Sequence, residues 1–481
     1  MPNYVYFLLA VAGLVGGYII YGTLVDKIFG ADPNRPTPAI TKADGVDYVV
    51  MSPAKIWLIQ LLNIAGIGPI FGPILGALYG PAALVWIVLG TIFAGAVHDY
   101  FSGMLSLRYG GTNVPNVVGY NLGSVFKRIM QVFSVVLLVL VGVVFMTSPA
   151  MLLTKLTAGS AVGLSMTGWL CVIVVYYFLA TIMPIDKIIG RLYPLFGAVL
   201  LIMATGITFM LFAKGYDFYP AAQWVNQHPK GLPLWPLMFI TIACGALSGF
   251  HATQSPLMAR CIGNERYGKP VFYGSMVAEG LIGLIWATVG MTFYQTPDAL
   301  QAALAAGGPA NVVNEASLSL MGHVGGIFAV LGVIVLPITS GDTAFRAARL
   351  TIAEITGYSQ VEKGKRLAIA VPLFIIGVAL SQIDFNLIWR YFGWANQSLA
   401  AIVLWAAAAY MYRKSLFHWI ATIPATVMTA ATVTYITYEP KMGFGMNISI
   451  ANYVGIVVAV VALVAFLMLG RRPVAGAPAG D

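Results

Sequence analysis

Thirteen stretches of this chain are apolar over roughly the twenty residues a helix needs to cross a bilayer, and two of them are interrupted at their centres by glycine and proline. The stretches cover residues 4–25, 56–79, 82–104, 127–149, 166–185, 193–213, 235–259, 272–294, 322–343, 367–382, 385–411, 417–438 and 448–469, numbered spans 1 to 13. Composition closes off the soluble alternative. Of 481 residues 9% are charged, where an ordinary soluble domain has about 25%. So few charges cannot cover a water-facing surface, so a soluble enzyme is excluded. The reading is an all-α polytopic membrane protein with about thirteen transmembrane helices.

The formal charge of +9 would suit nucleic acid if it were clustered, but it is sorted by topology. Loops after odd-numbered spans, with the C-terminal tail, hold 21 of the 26 Lys and Arg. They include Lys27, Arg108, Lys187, Arg191, Arg260, Lys269, Arg346, Arg349, Arg413 and Arg471. Lys155, Lys214, Lys230 and Lys441 lie on the other side, and Arg390 lies within a span. The positive-inside rule then places the N-terminus outside and the C-terminus in the cytoplasm. Met1, Pro2 and Asn3 supply no positive leader, so a cleaved signal peptide is not expected. Cys171, Cys244 and Cys261 have no CxxC spacing and read as small apolar residues. Neither a metal cluster, a Walker A loop nor a dinucleotide fingerprint is present, so no cofactor is expected.

Span 2 carries Gly66, Gly68, Pro69, Gly72 and Pro73 at mid-depth, and span 7 carries Gly245, Gly249 and Pro256. Breakers at bilayer depth open the backbone ladder, which is tolerated only where the freed groups line a cavity or meet a ligand. The two interrupted spans are five apart, so they enter the membrane from opposite sides. This predicts two inverted five-helix repeats, residues 56–213 and 235–411, each beginning with a broken helix. Residues 1–55 hold the first helix and a cytoplasmic loop, and 417–481 hold two peripheral helices and a short tail. Half-helix N-termini suit an anion and free carbonyls a cation.

Several short runs resemble the carbon starvation protein A family. They are Thr37 to Ala39, Asp44 to Tyr48, Ile64 to Pro69, Gly72 with Pro73, and Gly95 to Asp99. Later come Asp342 to Ala344 with Arg346, and Phe392 to Gln397 with Leu399 to Ala401. The resemblance implies a bacterial inner-membrane carrier of small peptides or pyruvate, associated with carbon starvation and proton-coupled in the pyruvate carriers. It also implies kinship to the amino acid–polyamine–organocation superfamily, whose LeuT-like core is a five-plus-five inverted repeat. The longest members of that family continue into further hydrophobic C-terminal segments.

Ionisable groups inside spans are expensive and mark function by default. His98, Asp99, Glu279 and Asp342 are the candidate proton carriers, with His98 and Asp99 expected about four residues from the cytoplasmic end of span 3. Asn63, Gly66, Gly68, Gly245, Gly249, His251, Asn396 and Gln397 are the candidate substrate contacts. A sodium alternative, carried over from relatives with this fold, uses Thr339 and Ser340 with carbonyls near Ala65 and Gly68. Asp342 can instead pair with Arg346 one turn on. Arg390 is a possible carboxylate counter-charge, or a snorkelling group near Asp384. Residues 298–306 read as a helix lying over the external face, and 344–366 as a charged cytoplasmic loop meeting anionic lipid.

The function expected is a secondary transporter importing a peptide or pyruvate by cation symport, with proton the first choice. A channel or facilitator for a small organic anion is the alternative. An intramembrane aspartyl protease is disfavoured because Asp99 lies in no matching motif. Haem is disfavoured because His98 and His323 fall at opposite depths. The expected partners are the small-molecule substrate, a coupling cation and the lipid bilayer.

Overall fold

The computed structural model describes residues 4–45, 47–182, 185–217, 225–360, 362–472 and 474. The side chains of Lys187 and Arg191, which entered the topology argument, lie outside the described residues. Among the described residues there is no strand. Among the described residues nine helices are long and apolar enough to cross a membrane, or ten if the bent pair Pro53–Ile64 and Gly68–Tyr79 is one span. The other three expected spans are helical without meeting that test. Span 5 is short, Met166–Ile182; span 7 is split; span 10, Lys363–Leu380, opens on Lys363, Lys365 and Arg366.

Span 2 bends by 52° between its halves. Pro69 has no N–H to return to Ala65, and Ala65 leaves the helix at φ −77°, ψ 72°. Span 7 is interrupted more deeply. Its halves Leu234–Thr241 and Phe250–Ala259 are separated by the unwound residues 242–249. Gly245 there has φ +88°, a left-handed backbone that a side chain would strain. Both breaks are buried in protein, as irregular backbone at membrane depth must be.

Span 3 is continuous over Ala82–Arg108, with one widened turn at Thr91–Gly95. It packs on the unwound stretch of span 7, and Gly95 makes this possible. A Cβ there would stand 2.2 Å from the Ala246 carbonyl oxygen. Span 8 begins with a similar wide turn, Lys269–Tyr273, before Gly274–Tyr294. Single wide turns of this kind recur at functional sites.

The long helical segment Pro297–Thr356 is broken at Gly307, Gly308 and Gly322. The expected helix after Asp298 is present, and a second one over 309–321 was not expected. Both lie at the end away from the basic face; the second is tied down by Lys155 Nζ on Asn311 Oδ1 at 2.9 Å and by Tyr294 OH on Glu315 Oε2 at 2.7 Å, and Asn311 Nδ2 donates to the Ala303 carbonyl of the first at 3.3 Å. Span 9 then runs on to Thr356 rather than ending near residue 343. The expected charged loop is therefore half helix, and Arg346 and Arg349 are 5% exposed. Arg346 donates to the Ala180 carbonyl and Arg349 to Gln360, so neither is placed to meet lipid. The helix continues because Ala344 to Ala353 is rich in good helix formers.

At the basic face, residues 30–45 and 47–51 lie against the ends of spans 3 and 8. Glu265 is fully buried there. It accepts the Asp32 amide at 2.8 Å, meets Arg108 Nη2 at 3.2 Å and Arg35 Nε at 3.8 Å. Arg108 also donates to the Gly30 carbonyl at 2.7 Å and the Tyr410 hydroxyl at 2.9 Å. Burial pushes the nearby Cys261 thiol up to about 11, which keeps it protonated and unreactive.

The contact of span 3 with span 7 predicts that Gly95→Ala destabilises the protein by about 1–3 kcal/mol, the range for overpacking. It should lower the thermal midpoint in detergent. Gly364→Ala is the control, since nothing lies within 4 Å of its Cβ position. Equal midpoints for the two variants would mean that this approach is not tight.

Candidate functional site

The unwound part of span 7 brings together ionisable groups from three helices. Asp99 on span 3 is the hub. Its Oδ1 lies 2.8 Å from His98 Nδ1, and its Oδ2 lies 2.8 Å from His251 Nδ1. The other ring nitrogen of His251 stands 3.1 Å from Glu279 Oε2 on span 8, an ion contact without hydrogen-bond alignment. Glu279 Oε1 in turn accepts the Gly245 amide at 3.1 Å. All four side chains are fully buried. His98 Nε2 ends the chain with no hydrogen-bond partner.

The geometry corrects the expected depth of His98 and Asp99. Span 3 continues to Arg108, so His98 sits ten residues, about 15 Å of helix, from the basic end. Glu279 is ten residues beyond Lys269 on span 8. The set therefore lies near mid-membrane and across it. His251 is the second residue of the lower half of span 7, and its place is set by the helix restart at Phe250.

Other groups complete the break in span 7. Asn396 Oδ1 accepts the Phe250 amide at 2.6 Å, and Asn396 Nδ2 donates to Ser248 Oγ at 3.0 Å. Gln397 Nε2 donates to the Phe239 carbonyl at 3.3 Å. Thr91, in the wide turn of span 3, donates to the Gly245 carbonyl at 2.9 Å. Asn396 and Gln397, expected as substrate contacts, are thus engaged with the two sides of this break. Gly249 makes the approach of span 11 possible, since a Cβ there would be 2.2 Å from the Asn396 carbonyl oxygen.

The break in span 2 is finished differently. Thr339 and Ser340 on span 9 both donate to the Leu62 carbonyl, at 2.8 and 3.0 Å, one turn before the carbonyls of Ala65 and Gly68 named in the sodium expectation. The helix still has its regular turn at Leu62, so it is this carbonyl that faces span 9. Gly66 lies under the ring of Phe145, where a Cβ would meet the ring at 2.2 Å, and Gly68 lies against Cys244. Phe145 packs edge-on against Phe250 at 5.7 Å and Phe392 at 6.2 Å between centroids. Asn63 is buried one turn above Gln60, which donates to Ser255 Oγ at 3.2 Å.

Two expected groups lie outside the set. Asp342 Oδ2 accepts from the Tyr176 hydroxyl of span 5 at 3.0 Å, a partner the helical spacing to Arg346 did not reveal. Arg390 pairs with Glu439 at the end of span 12, at 2.6 Å, while Asp384 instead caps the helix through the Leu387 amide at 3.1 Å. Arg390 is therefore a peripheral ion pair. Phe145, Thr91, Cys244 and the Glu265 cluster were missed. Thr91 and Cys244 neighbour breakers, a weak signal, whereas nothing in the sequence singles out Phe145. Donor atoms of Cys244, His251 and Glu279 lie within 4.8 Å of one another. Two of the three are engaged with the break itself, Cys244 Sγ donating to Ser248 Oγ at 3.3 Å and Glu279 holding the Gly245 amide.

Comparison with known proteins places this architecture. The family model described as carbon starvation protein CstA matches residues 3–162, 143–296 and 287–435. An uncharacterized membrane protein of Haemophilus influenzae is 48% identical over 350 residues, 63% of this chain and 94% of that one. The peptide transporter CstA of Campylobacter jejuni is 26% identical, covering 92% of this chain and 81% of its own. The pyruvate/proton symporter BtsT of Escherichia coli is 26% identical over 56% of this chain and 46% of its own. Among solved structures, MhsT in complex with L-phenylalanine superposes with a TM-score of 0.53 at 15% identity, covering 88% of this chain and 99% of that one. The fold is therefore LeuT-like.

The cap on span 7 is separable from any ligand role. Asn396→Ala leaves the buried Phe250 amide without its acceptor, a loss of about 1–3 kcal/mol. The expected result is a lower thermal midpoint of the purified protein with no ligand added. An unchanged midpoint would remove Asn396 from the framework.

Proposed function

Because the chain belongs to the carbon starvation protein CstA family, we propose that it is a secondary transporter moving a small peptide or pyruvate together with protons. The cargo rests on the names of two relatives, a peptide transporter and a pyruvate/proton symporter; both cargoes present a carboxylate. In this reading the basic face is cytoplasmic, the N-terminus is outside and the membrane is the bacterial inner membrane. Residues 56–213 and 235–411 are the two inverted halves.

The observation that carries proton coupling is the buried set of His98, Asp99, His251 and Glu279. With both imidazoles neutral and both carboxylates ionised it bears two negative charges, and two protons neutralise it. Burying an unbalanced ion costs several kcal/mol, so proton count and geometry are linked. His251 sits at the restart of span 7 and Glu279 holds the Gly245 amide. Loading or unloading the set therefore bears directly on the interrupted helix. Asp342, hydrogen-bonded to Tyr176, is a second candidate proton site. The sodium alternative is less supported, because the Thr339 and Ser340 hydroxyls face the Leu62 carbonyl and not those of Ala65 and Gly68, so the expected ligand set is not assembled.

Substrate is assigned to the break in span 2. The break in span 7 has its polar groups met by Asn396, Gln397, Glu279 and Thr91, whereas Gly66 and Gly68 are covered by Phe145 and Cys244, apolar groups that can move aside. The N-terminus of Gly68–Gly76 carries partial positive charge suited to a carboxylate, with Asn63 on the helix just before it.

The test is uptake into proteoliposomes of labelled pyruvate and of a labelled dipeptide, under imposed proton and sodium gradients separately. One of them should accumulate under the proton gradient. Asp99→Asn and Glu279→Gln should reduce this to equilibration while keeping substrate exchange. Asp342→Asn is the comparison that assigns the proton to one site or the other. Undiminished accumulation in the Asp99 and Glu279 variants would remove the set from coupling, and uptake indifferent to either gradient would make the protein a facilitator.

A further inference from the structure

An apolar groove of about 280 Å³ runs between span 1 and the pair formed by spans 2 and 8. Val11, Val15 and Tyr18 form one wall, Val277 and Leu281 the other, and Trp57 lines it from span 2. Val15 and Leu281 are exposed, so the groove opens sideways to the bilayer. An apolar slot facing lipid is commonplace; its polar fittings are what commit this one to an occupant.

At the basic end stands Lys269, next to the lining residue Pro270. Its ammonium donates to Thr23 Oγ1 at 2.6 Å and lies 4.7 Å from the centroid of the Tyr18 ring. Among the described residues no carboxylate pairs with it, and two of its three N–H donors have no acceptor. Farther in, Trp57 Nε1 lies across from Gly274, where a Cβ would be 3.6 Å from that nitrogen. The indole N–H has no hydrogen-bond acceptor among the described residues. Gly274 is five residues beyond Lys269, about 7 Å along the helix. A cation, then a lone N–H donor, then an apolar channel is the order in which a glycerophospholipid presents its phosphate, its ester carbonyls and its acyl chain.

We infer that this groove is a binding site for one anionic phospholipid of the leaflet at the basic face, its phosphate on Lys269, an ester carbonyl on Trp57 and an acyl chain along Val11 to Leu281. Charge complementarity selects the anionic headgroup, since basic pockets between transmembrane helices hold such lipids. The site is independent of the transport reading. It places a lipid between the peripheral span 1 and spans 2 and 8, two helices of the candidate site.

The test is native mass spectrometry of the full chain in mild detergent, titrated with phosphatidylglycerol and with phosphatidylcholine of identical acyl chains. One phosphatidylglycerol should be retained per chain in preference to phosphatidylcholine. Lys269→Gln should weaken retention about fivefold, the worth of one basic group at an anionic surface. Val277→Trp, which fills the groove and leaves Lys269 in place, should abolish stoichiometric retention; its helical circular dichroism and elution volume check that it is folded. Equal retention of the two lipids overturns the anionic assignment. Phosphatidylglycerol retention unchanged in folded Val277→Trp overturns the groove as its site.

Discussion

A helix interrupted inside a bilayer exposes amides and carbonyls that hydrocarbon cannot satisfy, and much of the interior of this protein follows from where those groups go. At span 7 they are met from three helices: Asn396 and Gln397 from span 11, Glu279 from span 8 and Thr91 from span 3. At span 2 the helix ends in a carbonyl held by two hydroxyls of span 9, and the bend itself is roofed by an aromatic ring. One break is finished with polar groups and the other mostly with apolar ones. The inverted topology relates the two helices, but their surroundings are not alike.

The ionisable interior depends on the same constraint. Glu279 can sit at mid-membrane because it serves both an orphan amide and an imidazole, and His251 because it lies between two carboxylates. Asp99 is reached by two rings, one next to it in sequence and one 152 residues away. Buried charge is tolerated where it is paired, and here the pairing also fastens spans 3, 7 and 8 to one another. The same economy recurs at the basic face, where Glu265 gathers two arginines and a backbone amide.

The breakers and the sorted charges made the fold class readable, because both obey rules local to a span. Gly66 with Pro69, and Gly245 with Gly249, located the two breaks to within a few residues. The intramembrane residues of the set were also readable one at a time, since a carboxylate or imidazole in an apolar stretch is conspicuous. Their mutual contact was not. Helix rotation and the 152 residues between Asp99 and His251 carry no periodic signal, so Asp99 read as a group near the membrane surface. Arg346 and Arg349 were misplaced for a related reason: a helix that outruns the bilayer looks like a charged loop. Phe145 shows the other limit, because a phenylalanine in an apolar span resembles every other one.

The level at which the ionisable set lies has an electrical consequence. His98 and Glu279 are each ten residues from the basic ends of their helices, so the contacts from His98 through Asp99 and His251 to Glu279 run nearly parallel to the membrane plane. Moving a charge through the full membrane potential is worth about 2.3 kcal/mol per 100 mV, but a proton handed along this line crosses almost none of that drop. If the set carries the coupled protons, as proposed, the voltage acts instead on their passage between the set and either surface. Exchange within the set would then be electrically silent, and the steps that open it to water would carry the dependence on potential.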